Sequence, residues 1–161
     1  MNHGASKRFL AIFLLMAIMA FFVNWRDLPK DLGSDFKSAV QSTTQNSSIT
    51  IADAKIEIEI AETPIELIKG LSGRLTLAEN SGLLFIFPYA DTHGIWMKEM
   101  NFPIDIIWFD ENYQIVAIKE NARPDSYPEV FTPPTPAFYV LEVPSGFAQK
   151  NKISVGMIGH F

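Results

Sequence analysis

The pairing with the most chemical content in the chain is Lys98 with Asp105, an ammonium and a carboxylate joined by a proline-containing turn, Met100 to Pro103, and each set among large apolar residues. Charges in apolar surroundings are costly unless closely matched, so neighbouring strands of a curled sheet are expected to bring the two together. As a functional pair they would form a cleft. Lys98 would bind an anionic or carbonyl group and Asp105 would act as base or acceptor, with Arg74 as a bidentate clamp and Trp96 as a stacking wall. As a structural pair they would instead lock the hairpin from Trp96 to Asp105. His93 lies two residues after Asp91 and reads as a surface or loop histidine, with general acid or base work as the alternative. No HExxH and no closely spaced His/Cys set accompanies it, so no metal is expected.

Other chemistries are excluded by what the chain lacks. The run Gly70-Leu71-Ser72-Gly73-Arg74 has Arg74 where a serine elbow needs glycine, and it follows a helical pattern rather than a strand. Neither a P-loop nor a GxGxxG run is present, so no nucleotide and no cofactor is expected. Cysteine is absent, which removes disulfides, thiolate metal sites and a cysteine nucleophile. Trp96, Trp108, Phe85, Phe87, Phe109 and Phe138 could line a sugar-stacking groove, but aromatics in strands are usually core, a reading that is clearer for the Phe residues than for Trp96 beside Lys98. Tyr127 and Phe131 stand among prolines and are expected either to be exposed contacts or to staple that loop to the domain.

These residues need a frame. Lys55 to Ile60 (KIEIEI) alternates strictly, placing Ile56, Ile58 and Ile60 on one face of a half-buried strand and Glu57 and Glu59 on the other. A helix start follows: Thr63 as cap, Pro64 at the first position and Glu66 completing a capping box, with Gly70 ending the helix after two turns. Leu83 to Phe87 (LLFIF), bounded by Gly82 and Pro88, reads as a strand buried on both faces. His93 to Lys98 is a further strand candidate. Ile104 to Phe109 and Gln114 to Lys119 flank Asp110-Glu111-Asn112-Tyr113 and predict a hairpin. Residues 123 to 136 hold five prolines and cannot supply a central strand. Ala137 to Val143 resumes strand character, and Lys152 to Ile158 is expected as a last strand. The sum is α+β and mainly β: a small antiparallel curled sheet or barrel of about seven strands with one or two short helices, behind an N-terminal apolar helix.

That N-terminal helix reads as an address. Lys7 and Arg8 precede the uncharged run Phe9 to Val23, and Trp25 closes it, the order of a signal anchor or signal peptide. The run is at the short edge of the roughly 17 to 25 residues that span a bilayer. Cutting after Ala20 would put Ile18 at the minus 3 position, so retention as an anchor is favoured and cleavage to a secreted or periplasmic form is the alternative. Residues 1–25 are therefore expected to be the anchor and 26–48 a polar tether, whose Leu28, Leu32, Phe36 and Val40 are spaced as one helical stripe. Residues 49–161 are the expected globular domain. The whole chain of 161 residues carries a net charge of -5, and residues 1–24 hold two Lys/Arg and no acid, which leaves a net of -7 beyond them. No nucleic-acid partner is expected from such a balance.

The segment from Ala61 to Gly156 resembles the UPF0127 family, also called domain of unknown function 192 (DUF192). The resemblance rests on Thr63-Pro64, Gly70-Leu71 with Arg74, Gly82 to Phe87, Trp96-Met97-Lys98, Pro103 to Ile107, and Val140-Leu141-Glu142 followed by Gly146. This chain departs from the family at Ser72, where methionine is usual, at Glu99 and Met100, where asparagine and threonine are usual, and at Met157, where aspartate is usual. The resemblance implies a compact β-rich domain, often behind a signal or anchor, and no established activity. Two functions are expected: a membrane-anchored extracytoplasmic binding or accessory domain with a small-molecule or envelope ligand, or a small hydrolase or lyase using Lys98 and Asp105. A purely structural envelope component is a third.

Overall fold

The computed structural model describes residues 47–161, so the anchor, the tether up to residue 46 and the apolar stripe at 26–40 lie outside the described residues. Strand β1 (Ser47–Ile51) begins inside the expected tether and pairs with β2 (Ala54–Ala61). The alternation of β2 holds at Ile56 and Ile58, which are buried, and fails at Ile60, which is 42% exposed. Helix α1 (Pro64–Lys69) starts as its residues predict: the Thr63 hydroxyl accepts from the Glu66 N–H, and the Glu66 carboxylate accepts from the Thr63 N–H. Gly70 ends it at φ +48°.

Strand β3 (Ser81–Asp91) is followed by the two-residue β4 (Ile95–Trp96), a fragment of the strand expected from His93 to Lys98. The hairpin of β5 (Ile104–Phe109) and β6 (Ile115–Ala122) forms, its turn fixed by Asp110 Oδ1 accepting from the N–H of Asn112 and Gln114. The proline segment supplies a 3-10 turn at Pro124–Ser126 and β7 (Val130–Phe131), which pairs with β4 in a two-stranded ribbon. Strand β8 (Ala137–Pro144) leads into a second short helix, α2 (Phe147–Lys150).

One expectation fails at the end of the chain. Lys152 to Ile158 forms turns rather than a strand, touching the sheet through a single bridge from Ile158 to Gln114, and the last strand is β9 (Gly159–His160). Gly156 sits at φ +93° in that segment, a turn conformation that breaks an extended run.

The main sheet has seven strands in the order β6-β5-β8-β3-β2-β1-β9 and curls into a half-barrel. It is not wholly antiparallel: β2 and β3 run parallel, joined by the crossover that carries α1. Near the hairpin turn, Ile115 N–H donates to Met157 O and Gly159 N–H to Tyr113 O, linking the two edges of the curl.

The central strands are buried on both faces. One face gathers Ile49, Ile56, Ile58, Leu84, Ile107, Phe109, Leu141 and Val143 with Phe147 of α2. The other gathers Leu83, Phe85, Ile104, Ile106, Trp108 and Val140 under Leu71, Ile95, Met97 and Phe131. The second face, covered by α1 and the ribbon, is where the polar site lies.

Candidate functional site

Towards the end of β8 the run Ala137 to Val143 carries one carboxyl side chain, Glu142. Its neighbours across the sheet are Leu83 of β3 and Ile106 of β5, so its carboxyl points to the α1 and ribbon side. Glu142 is 4% exposed, and its Oε2 is buried with no hydrogen-bond partner among the described residues. Burial pushes the carboxyl up to about 8, while the nearby Arg74 guanidinium pulls in the other direction without overcoming it. At neutral pH the group is chiefly a carboxylic acid, with one O–H to donate and acceptor capacity left over.

The carboxyl faces a recess of about 40 Å³, room for one or two water-sized groups. Its walls come from the end of α1 (Lys69, Gly70, Leu71), from Phe85, and from Ile95 and Trp96 of the ribbon. Two loops close it and are tied to each other. Ser72 Oγ donates to Lys98 O at 2.8 Å, Gly73 N–H to Glu99 O at 2.9 Å, and Asn101 Nδ2 to Arg74 O at 2.8 Å. Ser72, the position where methionine is usual in the resembled family, thus spends its hydroxyl on holding the wall.

Trp96 both lines the recess and stands 45% exposed at its lip, edge-on to Tyr127 at 6.1 Å between ring centres. Lys98 is exposed, its Nζ 5.9 Å from the centre of the Trp96 ring, within cation–π range. Arg74 is a clamp, but on an internal partner: its two terminal nitrogens donate to both oxygens of Glu59 at 2.5 and 2.8 Å. That pair lies in an adjoining hollow of about 180 Å³ which shares Lys69 and Gly70 with the recess.

The structure separates the two residues expected to pair. Asp105 forms no ion pair with Lys98; it is fully buried on the opposite face of β5, where Oδ1 accepts from the N–H of Asn121 (2.9 Å) and Gly146 (3.2 Å) and Oδ2 from that of Ala148 (2.9 Å). Strand parity is the reason: Ile104, Ile106 and Trp108 take the face toward Lys98, leaving Asp105 to tie β6 and the start of α2 to β5. His93 is engaged by its own neighbours. Its ring stacks on Phe87 at 3.6 Å, Nε2 donates to Tyr89 O at 2.8 Å, and its carbonyl accepts from Trp108 Nε1 at 3.0 Å. Of the five expected site residues, Trp96 and Lys98 share the lip, Arg74 lies next door, Asp105 is on the opposite face of β5, and His93 stands against Phe87 and Tyr89.

A wider trough of about 630 Å³ opens on the other face of the sheet between Ile60, Ile86, Tyr113 and Tyr139. Its described lining offers hydroxyls but no carboxylate, amine or imidazole side chain. Among the described residues no group of three or more His, Cys, Asp or Glu is placed to hold a metal ion.

Comparisons with known proteins agree with this architecture. A structure from Novosphingobium aromaticivorans DSM 12444, described as a protein of unknown function, is similar at 26% identity and a TM-score of 0.68, covering 71% of this chain and 84% of that one. A second, from Sinorhizobium meliloti 1021 and named a "putative transcription regulator", is similar at 28% identity and a TM-score of 0.66, covering 70% and 89%. No curated protein matches the chain. The profile of DUF192, described as "Uncharacterized ACR, COG1430", matches residues 47–158, nearly all of the described fold and both walls of the recess, and the chain belongs to that family.

Proposed function

We propose that this chain is a membrane-anchored extracytoplasmic binding domain, with residues 9–25 as the anchor and the recess over Glu142 as its ligand site. The observation that carries the reading is the unpartnered Oε2 of Glu142 on the floor of a recess whose lip is an exposed tryptophan. Leaving a buried polar group unpaired costs about 1–3 kcal/mol, whereas an apolar side chain of similar shape would cost nothing there. A ligand group in the recess supplies the missing partner. The basic residues Lys7 and Arg8 ahead of an apolar run support the location, and the net of -7 beyond residue 24 supports a solute rather than nucleic acid as partner.

Two measurements on the full chain test the proposal. Protease added to intact spheroplasts should digest the domain while it stays in the membrane fraction; protection until lysis, or recovery in the soluble fraction, would count against the anchored extracytoplasmic reading. Thermal shifts with a panel of small polar solutes should appear in wild type and vanish in Glu142→Leu; shifts of equal size in both would detach binding from the recess.

A small hydrolase or lyase is a second reading, favoured by one observation: a carboxyl pushed up to about 8 is a proton donor at neutral pH. The donor is then Glu142 with Lys98 on the lip, and Glu142→Gln ends turnover while leaving binding intact.

A further inference from the structure

Resting on the reading of the recess as a ligand site, we propose that the group it takes is the hydroxymethyl arm of a neutral sugar, whose ring lies along Trp96. The recess is narrow and mixed in character: Leu71, Phe85 and Ile95 contribute hydrocarbon, Lys69 and Trp96 are exposed, and the Ser72 hydroxyl already donates to Lys98 O. Among the described polar side chains that line it, Glu142 is the one that is buried and has an atom without a partner. Because Glu142 is held as the acid, it offers both a donor and an acceptor, and an alcohol answers with one of each.

Charged groups fit poorly. A cation would meet Lys69 in the wall, Lys98 already over the Trp96 ring and the Arg74 guanidinium near Glu142. An anion would have to share the recess with a buried carboxyl that becomes an anion itself on losing its proton. Size selects further, since about 40 Å³ admits an arm and excludes a ring. The ring must then stay at the lip, where Trp96 and Tyr127 stand 45% and 47% exposed and edge-on to each other. An exposed indole beside a buried hydrogen-bonding group suits a ring with an apolar C–H face and a polar rim.

The test is an NMR titration of the full chain in detergent, following the Trp96 indole N–H. The probes are D-glucose, D-galactose, D-mannose and N-acetylglucosamine, the 6-deoxy form of whichever binds, methylammonium and acetate. At least one sugar is expected to shift the signal saturably in the millimolar range. Its 6-deoxy form should bind about tenfold more weakly, as fits one lost hydrogen bond to a buried group. Glu142→Leu should lose the sugar response, and Glu142→Gln, which keeps a donor and an acceptor, should retain it. Methylammonium or acetate acting through Glu142 while the sugars do not would overturn this inference and leave the binding reading standing. An equal response to the 6-deoxy sugar would overturn it in the same way. Silence from every probe would overturn both.

Discussion

Asp105 and Glu142 are the two acids buried in the described core, and they are held by opposite means. Asp105 accepts three backbone N–H groups and is an internal staple, so its amide variant should suffer. In Asp105→Asn an NH2 replaces an acceptor opposite a backbone donor, and a loss of about 3 kcal/mol is expected from charge-assisted bonds of this kind. Lys98→Met, at an exposed position, should change stability by no more than about 0.5 kcal/mol. The double mutant should equal the sum of the two, because the groups do not touch. Urea denaturation of all four proteins checks this, and a large coupling energy would restore the pair.

Glu142 makes a pH prediction of unusual sign. Its folded pKa of about 8 lies above the ordinary value of 4.5, so between those limits the folded protein keeps a proton that the unfolded chain has released. Stability attributable to this group therefore falls as pH rises through that window, by about 1.4 kcal/mol per unit, and levels off above it. Arg74, the cation that acts on the Glu142 carboxyl, is held above the ordinary guanidinium value by its bonds to Glu59 and keeps its charge across this range. Glu59 and Glu66, held below the usual carboxylate range by Arg74 and by Thr63, contribute stability lost only on further acidification. Melting temperature against pH from 5 to 8 should fall in wild type and flatten in Glu142→Gln; parallel curves would show that the carboxyl is not held neutral.

At the scale of elements, the helix start at Thr63, the strands around LLFIF and AFYVLEV and the hairpin across Asp110 were legible because each carries its own local signal: a capping box, β-rich apolar runs, an Asx turn. What escaped was non-local. Nothing in KIEIEI or in LLFIF says that these strands run parallel; that follows from the crossover being long enough to return the chain to the same end of the sheet. The site escaped for a related reason. Lys98 and Asp105 were conspicuous by proximity in sequence, but parity in β5 sets Asp105 on the far face, whereas Glu142 reaches the lip residues only through sheet order. The signal that was present, a lone carboxylate inside an apolar strand, is the mark of a buried acid. Gly70 is the element-scale test of the recess. At φ +48° an alanine is strained, and its methyl would lie 3.1 Å from Phe85 Cζ and 3.9 Å from Glu142 Oε2. Gly70→Ala should cost about 1–2 kcal/mol in denaturation and shrink the space over the carboxyl.

For the whole molecule, the recess is assembled from two kinds of chain. Its floor, Glu142 and Phe85, belongs to the central strands β8 and β3, each paired on both sides. Its walls belong to the crossover after β2 and to the ribbon, which touch the sheet by packing and by a few hydrogen bonds such as Arg74 to Glu59 and Trp108 Nε1 to His93 O. Residues 67–72 and 94–100 supply no rung of the seven-stranded ladder. Such a division lets the acid stay fixed while the shape around it diverges, so one scaffold can be retuned, substitution by substitution, from one solute to another without passing through an unfolded intermediate.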